Sequence, residues 1–597
     1  MMLRMKRLLL LVLATFACRA FADDRPNIVW ISAEDHGPHL GCYGDSYATT
    51  PHLDAFAANS LLYTKASSNA PVCAPARTTI ISGMYPPSLG AHNMRSRVPS
   101  PSYLKFFPVY LRDAGYYTTN QSKEDYNLET DDKGWHESSR TAHWKNRPDP
   151  QQPFFAVFNF TGTHESQIRN DNESPHHDPA LAPIPPYHPD TPETRKDWAQ
   201  YYDRLSKLDA YFQKRLDEIE AAGLADDTIV IFWSDHGSGM PRGKRYPGWS
   251  GLNVAMIAHV PEKYQHLAPS DYMPGGKSDR LVSFVDLAPT TLALAGIKIP
   301  DYYHGQAFLG PNLSPAPRYS FGFKGRMDER IDECRTVTDG RYVYIRNYYP
   351  HLPHGQYLWY QQQTPTTSKW YQLFKDGKLN AVQSAFWQAH PAEELFDLAN
   401  DPHETVNLAK DPAHQETLTK LRDELAAHQN RTRDLSFIPE PMLRKPTLAG
   451  VSPAEFFSNY FEPNSNRLEL GNDSVSKYWR FANLLSAAPE AVKAALPEAI
   501  DATNDDEACV AVVASELVAL HARDAEIRAQ ALETLVAYAR YPENELILSL
   551  QAGVALDHAH QAGIELPESA KQLVADHESI PGWAKSYRPR LLERFQE

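Results

Sequence analysis

Short apolar runs alternate with amphipathic stretches through the first half of the chain. Asn27 to Ser32 (NIVWIS), Gln152 to Phe160 (QPFFAVFNF) and Thr228 to Trp233 (TIVIFW) are rich in β-branched and aromatic residues, as strands covered on both faces are. Leu104 to Ala114 predicts a helix that stops at Gly115, before a strand opening at Tyr116. Tyr201, Leu205, Leu208, Phe212, Leu216 and Ile219 recur three and four apart, the stripe of an amphipathic helix ended by Gly223. The alternation continues through Val254 to Ala258 and Val282 to Gly296, so residues 23–320 predict a doubly wound α/β domain.

The pattern then changes twice. Thr336 to Thr338 and Tyr342 to Ile345 alternate around Asp339-Gly340, which predicts a β-hairpin, and a helix from Gln415 to Gln429 would pack on its sheet. Residues 321–433 thus read as a smaller antiparallel-sheet subdomain. Nine aromatic residues between Tyr342 and Tyr371 suit sugar stacking, but packing within this subdomain explains them more simply. Prolines 439, 441 and 446 and Asn464 to Asn466 mark residues 434–474 as a linker. From Val475 onward, helical segments begin near Pro489, Asp505, Asp524 and Pro542. Starts ~18 residues apart suggest a HEAT-like α-helical array over 475–597, with a plain bundle packed on the preceding domain as the alternative. These helices also offer a surface for oligomerisation.

Composition narrows the function. A net charge of −15 argues against nucleic acid or any broad polyanion surface as partner, so an anionic substrate must meet a local basic pocket. Arg4, Lys6 and Arg7 precede an apolar run, Leu8 to Phe16, and Ala20-Phe21-Ala22 offers a cleavage site before Asp23. Residues 1–22 therefore read as a signal peptide, which places the mature protein in the periplasm or outside the cell. Cys18 raises a lipoprotein alternative, ranked lower because Thr15 stands where an aliphatic residue is needed. No later run is long and apolar enough to span a bilayer. Cys42, Cys73, Cys334 and Cys509 are too few and too scattered for a disulfide framework.

Candidate chemistry gathers where predicted strands end. Glu34 and Asp35 follow the first, His164 follows Phe160 and Thr161 to Thr163, and Asp235 and His236 follow the strand through Trp233. In open α/β sheets, ligands collect at such ends, and paired carboxylates there suit a hard cation. Lys244, with Arg242 and Arg245, supplies the local positive charge that the acidic whole demands. Cys73-Ala74-Pro75-Ala76-Arg77 places a thiol and a fixed cation near the start of a predicted helix whose N–H groups could face an anion.

The Cys73, Pro75, Arg77 pattern, continued by Thr78 to Gly83 (TTIISG) and Met84-Tyr85-Pro86, resembles the signature that a formylglycine-generating enzyme reads in type I sulfatases. His39 to Gly44, Thr50 to Asp54, the Asp235-His236 pair, Lys244 ahead of Gly248 and Gly251, and Asp401-Pro402-His403-Glu404 extend the resemblance over residues 25–433. It implies an alkaline-phosphatase-like sulfatase fold with one Ca²⁺, Mg²⁺ being the alternative. Glu34, Asp35, Asp235, His236 and a formylglycine oxygen at Cys73 would hold the ion. A formylglycine-generating or anaerobic maturation enzyme would convert Cys73. Cys73, Arg77, Lys123, His164 and Lys244 are implied to be catalytic, with His92, Arg95 and Asp125 meeting the substrate. His164, with an ordinary imidazole pKa near 6.5, would protonate the leaving group.

This sequence departs from the family at three of these positions: Glu34 replaces the usual aspartate, His236 stands where many members have asparagine, and Asp125 replaces the histidine that helps to break down the sulfated hemiacetal. That last task would fall to Asp125 or His92. The substrate implied is a sulfate ester or sulfamate of a sulfated saccharide, and the layout looks nearest to N-sulfoglucosamine sulfohydrolases and their bacterial relatives. Phosphonate or phosphate ester hydrolases share the fold and metal pair. A degenerate binding protein is the non-enzyme alternative, but it would need none of Cys73, Arg77, Lys123, His164, Asp235 and Lys244.

Overall fold

The computed structural model describes residues 24–170, 175–458, 473–573, 580–582 and 584–595. The expected signal peptide, with Cys18, and Asn464 to Asn466 lie outside them. The main sheet has eight strands: Asn27–Ala33 (β1), Leu61–Tyr63 (β2), Tyr117–Gln121 (β3), Glu137–Ser138 (β4), Phe154–Phe160 (β5), Thr228–Ser234 (β6), Met256–His259 (β7) and Lys277–Ser278 (β8). Their order is β8-β2-β7-β6-β1-β5-β3-β4. β7 pairs antiparallel with β6 and with β2, whereas β6, β1, β5, β3 and β4 run parallel, so the sheet is mixed.

The two faces of β1 follow the strand period of two. Ile28 and Trp30 join Phe155, Val157, Ile231 and Trp233 in one core, which also holds Ile80 and Ile81 of the helix Cys73–Ser82 (α1). Val29 and Ile31 face the other core, where Phe158 and Phe232 meet the helix Pro192–Glu220 (α2) through Tyr201, Leu205, Leu208 and Phe212. Each such side chain, fully buried, stabilises the fold by ~1.5–3 kcal/mol. Ala33 is opposite Phe160 on one side and Ser234 on the other, so the three central strands end level and release their following residues at one edge.

A second sheet is antiparallel throughout, in the order Ser320–Lys324 (β9), Cys334–Thr338 (β10), Tyr342–Asn347 (β11), Glu393–Asp397 (β12). The helix Gln415–Thr432 (α3) covers it with Leu418, Leu421 and Leu425. Part of the stretch read as linker is ordered: Glu440–Leu448 (α4) buries Met442 and Leu443. Pro441 sits in its first turn, where a missing N–H costs nothing, and Pro446 lies inside the helix.

Beyond lie Ser474–Leu484 (α5), Pro489–Ala502 (α6), Ala508–His521 (α7), Ala525–Ala539 (α8), Leu546–Gln561 (α9) and Tyr587–Leu592 (α10). α7 is buried at every residue from Cys509 to Ala519. The helical region shares a core with Tyr349, Leu352, Leu435 and Ile438. All four cysteines among the described residues are free.

A buried ion cluster clamps this region to the rest. Asp557 on α9 accepts from Arg330 (2.6 Å) and Arg594 (2.8 Å). Burial opposes its ionisation, but the two guanidinium groups outweigh that and hold its pKa down to about 2. Asp557→Ala is expected to cost about 3–5 kcal/mol, because it leaves buried cations unpaired. The wild-type contribution should be complete above the unfolded carboxylate value, about 3.9, and fade as pH falls toward 2. Thermal unfolding of both proteins at neutral and acid pH checks this: the midpoints should differ clearly at neutral pH and converge at low pH.

Candidate active site

At the level edge of β1, β5 and β6 the chain is stitched by backbone bonds. Glu34 N donates to Phe160 O (3.1 Å), Asp235 N to Ala33 O (3.0 Å) and Asp35 N to Asp235 Oδ1 (3.0 Å). Five non-glycine residues here take left-handed φ values: Asp35 (52°), Arg95 (55°), Asp125 (50°), Arg242 (65°) and Arg245 (71°). Each such conformation costs ~1–3 kcal/mol and persists only where its surroundings enforce it.

Asp35, Cys73, Asp235 and His236 are buried and each offers a ligand atom within 4.8 Å of the others. His236 Nε2 lies 3.1 Å from Asp35 Oδ1, 3.6 Å from Asp235 Oδ1 and 3.4 Å from Cys73 Sγ. Cys73 is the first residue of α1, ten residues all buried, which fixes the thiol at the helix N-terminus. Glu34 stands apart from this set: its Oε1 is paired with Lys123 Nζ (2.5 Å) and lies 3.7 Å from Arg77.

Cations surround the cluster. Arg77 donates to Asn159 Oδ1 (2.9 Å) and Asp235 Oδ2 (3.3 Å). Lys244 Nζ lies 2.7 Å from Asp35 Oδ2, 3.1 Å from Glu165 Oε1 and 3.3 Å from His164 Nε2. Burial opposes the charge on both lysines, but Coulomb interaction with Cys73 and Glu34 for Lys123, and with Asp35 for Lys244, raises their pKa values. Both stay ammonium ions at neutral pH. The loop carrying Lys244 is clamped from the second sheet's side: Arg242 donates to His403 O and Glu404 O, while the Glu404 carboxylate accepts from Trp249 N and Ser250 N. A Cβ on Gly248 would fall 2.5 Å from Glu404 Oε1, so the close approach requires glycine.

Not every predicted residue joins. Arg95 and Asp125 pair at 3.4 Å, with Asp125 4.0 Å from Lys123, so both lie beside the cluster. Burial favours the neutral acid at Asp125, but Arg95 and Lys123 outweigh it and keep the group ionised. His92 points elsewhere: it is buried 3.6 Å from Glu333, and desolvation together with Arg335 lowers its pKa to about 3. It faces the buried Arg335–Glu333 ion pair rather than the cluster, although it was expected to meet substrate. His164 is where expected, but not with an ordinary pKa; burial and then Lys244 lower it to about 4.

Two partners escaped the sequence reading. Asn159, a polar residue inside an apolar strand, orients Arg77, and its lone polarity within Phe154–Phe160 (FFAVFNF) was the available signal. Glu165 neutralises Lys244 and Arg245, and nothing in its local sequence marks it.

The cluster suits a hard divalent cation. Burial works against charge on His236, yet the carboxylates of Asp235 and Asp35 hold its ring protonated, up to about 10, so these buried anions demand a positive charge. Asp35, Asp235 and His236 would hold a cation in place of that proton, with an oxygen at residue 73 completing a mainly oxygen set. Cation affinity should therefore rise with pH, since ligation displaces the His236 proton. Calcium titration of chelator-treated protein at pH 6 and pH 8 measures this, and tighter binding at pH 8 is the expected result. Asp235→Asn should weaken binding by more than the roughly 10–100-fold typical of losing an outer partner, and should abolish turnover with it. Full activity after chelation would contradict the site.

The sulfatase family model matches residues 26–297. The chain is 37% identical over 470 residues to an ulvan-active sulfatase of Formosa agariphila, covering 70% of this chain and 77% of that protein. It is 27% identical over 495 residues to human N-sulphoglucosamine sulphohydrolase, covering 71% of this chain and 93% of that one. The expected nearness to N-sulfoglucosamine enzymes is therefore corrected, since the ulvan-active protein is more similar. Among solved structures, the phosphonate monoester hydrolase of Agrobacterium radiobacter shares the fold, with a TM-score of 0.52 at 16% identity over 69% of this chain and 97% of that one.

Proposed function

The chain belongs to the sulfatase family and is by class a sulfuric ester hydrolase, and from that premise we propose that it removes sulfate from a sulfated saccharide, with Cys73 matured to formylglycine and one Ca²⁺ bound. The observation that carries this reading is the setting of Cys73: first residue of α1, beside Asp35 and His236, ringed by Arg77, Lys123 and Lys244. Relatives named for ulvan and for N-sulphoglucosamine support a saccharide substrate.

When present, the cation and the hydrated aldehyde supply Lewis acidity and an oxygen nucleophile. The chain's own residues do the rest. Lys123 and Lys244 bind the sulfuryl oxygens, and Arg77 adds fixed positive charge where negative charge grows in the transition state. His164, at hydrogen-bond reach of Lys244, delivers the proton to the leaving oxygen. Burial and Lys244 hold its pKa low, and a sulfate anion beside it favours the protonated form. Asp125, ionised and paired with Arg95, is the proton acceptor left at the position where the family has histidine, because His92 is directed elsewhere.

Sulfate release from defined sulfated mono- and disaccharides tests the reading, with sulfate and phosphate compared as product inhibitors. Turnover of a sulfated sugar, with sulfate inhibiting more tightly than phosphate, is expected. Hydrolysis confined to phosphonate or phosphate esters would overturn it. Export is proposed on the same footing, and N-terminal sequencing of exported protein should begin at Asp23. Among the described residues, no helix is long and apolar enough to cross a membrane.

A further inference from the structure

The C-terminal helical region has no part in the chemistry above, yet α10 reaches the rim of the site. Tyr587 is buried and donates to Asp328 Oδ1 (2.7 Å), and Asp328 lies 3.8 Å from Arg245. Arg588 donates to Ala539 O (2.7 Å) and Ser549 Oγ (3.2 Å). The helix is thus held at both the catalytic and the helical side, and it presents Arg590.

The Arg590 guanidinium lies 4.1 Å above the Trp359 ring and 5.9 Å from Tyr360. The Tyr360 ring is 6.5 Å from that of His164, so Arg590 stands one ring further out than the residue placed at the leaving group. Arg169, 4.3 Å over Tyr360, is already engaged with Glu165, and Arg245 pairs with Glu165 twice. Arg590 differs: among the described residues its guanidinium has no carboxylate partner, and it is half-buried beside half-buried Trp359 and Tyr360. Stacking on an aromatic face leaves the in-plane N–H edge of a guanidinium free, and that edge matches a bidentate anion. In a chain of net charge −15, Arg590 thus places a positive charge with no carboxylate partner among the described residues at the pocket rim.

We propose that Arg590, stacked on Trp359 beside Tyr360, forms a subsite for an anionic group, carboxylate or second sulfate, on the sugar next to the one desulfated. The helical region is then a specificity element, which explains its anchoring across the catalytic domain. The inference rests on the sulfatase reading for its substrate class.

The test compares three disaccharides that share one sulfated sugar and differ in the neighbour: a uronate, a sulfated sugar and a neutral sugar. Wild-type enzyme should favour one or both anionic neighbours over the neutral one by about 10–100-fold in kcat/KM, carried by KM, as a charge-assisted bidentate contact predicts. Which anion is favoured separates the carboxylate from the sulfate source. In Arg590→Gln the preference should shrink to about twofold, with Arg590→Lys intermediate and unfolding midpoints unchanged. A variant that keeps the preference, or loses anionic and neutral probes alike, overturns the subsite. Calorimetry with Cys73→Ala protein and the same disaccharides repeats the comparison without turnover. If wild type releases no sulfate from any probe while calorimetry still shows the Arg590-dependent preference, the sulfatase reading fails and the subsite stands. Absence of that preference in calorimetry overturns the subsite independently.

Discussion

Cys73→Ala protein, purified beside matured wild type, should lose sulfate release by about 10⁶-fold, the scale seen when a hydrolase loses its nucleophile. The size follows from the surroundings. Arg77, Lys123, Lys244, Asp35 and His236 are all arranged about one side chain, so no second group is placed to replace it. The wild-type peptide containing residue 73 should show sulfur replaced by oxygen by mass spectrometry. An unmodified thiol in fully active enzyme would sink the maturation step. Because α1 is buried at all ten residues, the proposed conversion of Cys73 would have to precede folding, since the folded protein hides the signature. Adding the maturation enzyme to folded, unconverted protein should therefore leave the thiol intact.

The second large effect separates two roles of His164. If His164 is the proton donor, as proposed, its importance grows with how poor the leaving group is. His164→Ala should lower kcat by roughly 10²–10⁴ on an alkyl sugar sulfate and much less on an activated aryl sulfate, whose oxygen departs without a proton. The residue must also work against its own environment. Burial and Lys244 lower its pKa to about 4, so the charged form would depend on a bound anion. Equal losses on both substrates would remove the acid role and leave His164 as a residue that positions sugar hydroxyls or Lys244.

The strands, the main helices and the strand-end residues were legible because each is a local pattern. NIVWIS, QPFFAVFNF and TIVIFW could hardly be anything but buried strands, and Glu34-Asp35, His164 and Asp235-His236 follow them closely enough for topology to bring them together. The structure added what depends on distance. Asp35 meets Lys244 and Glu165, more than a hundred residues away, and the charges they share set which groups are ionised. His92 and His164 look alike as loop histidines. One is turned toward Glu333 and the other toward Lys244, because strands from different parts of the chain place those partners there. The aromatic stretch from Tyr342 to Tyr371 likewise divides only in three dimensions. Trp370 is fully buried among Phe386 and Trp387, whereas Trp359 and Tyr360 remain at the rim where α10 delivers Arg590. Sequence by itself determined the elements and the family and pointed to most of the candidate site residues, since these rest on periodicity and on short motifs. Tertiary structure decided protonation, the partner of each charge and the approach of the C-terminal helix, since burial and Coulomb interactions act between residues that are neighbours only in space.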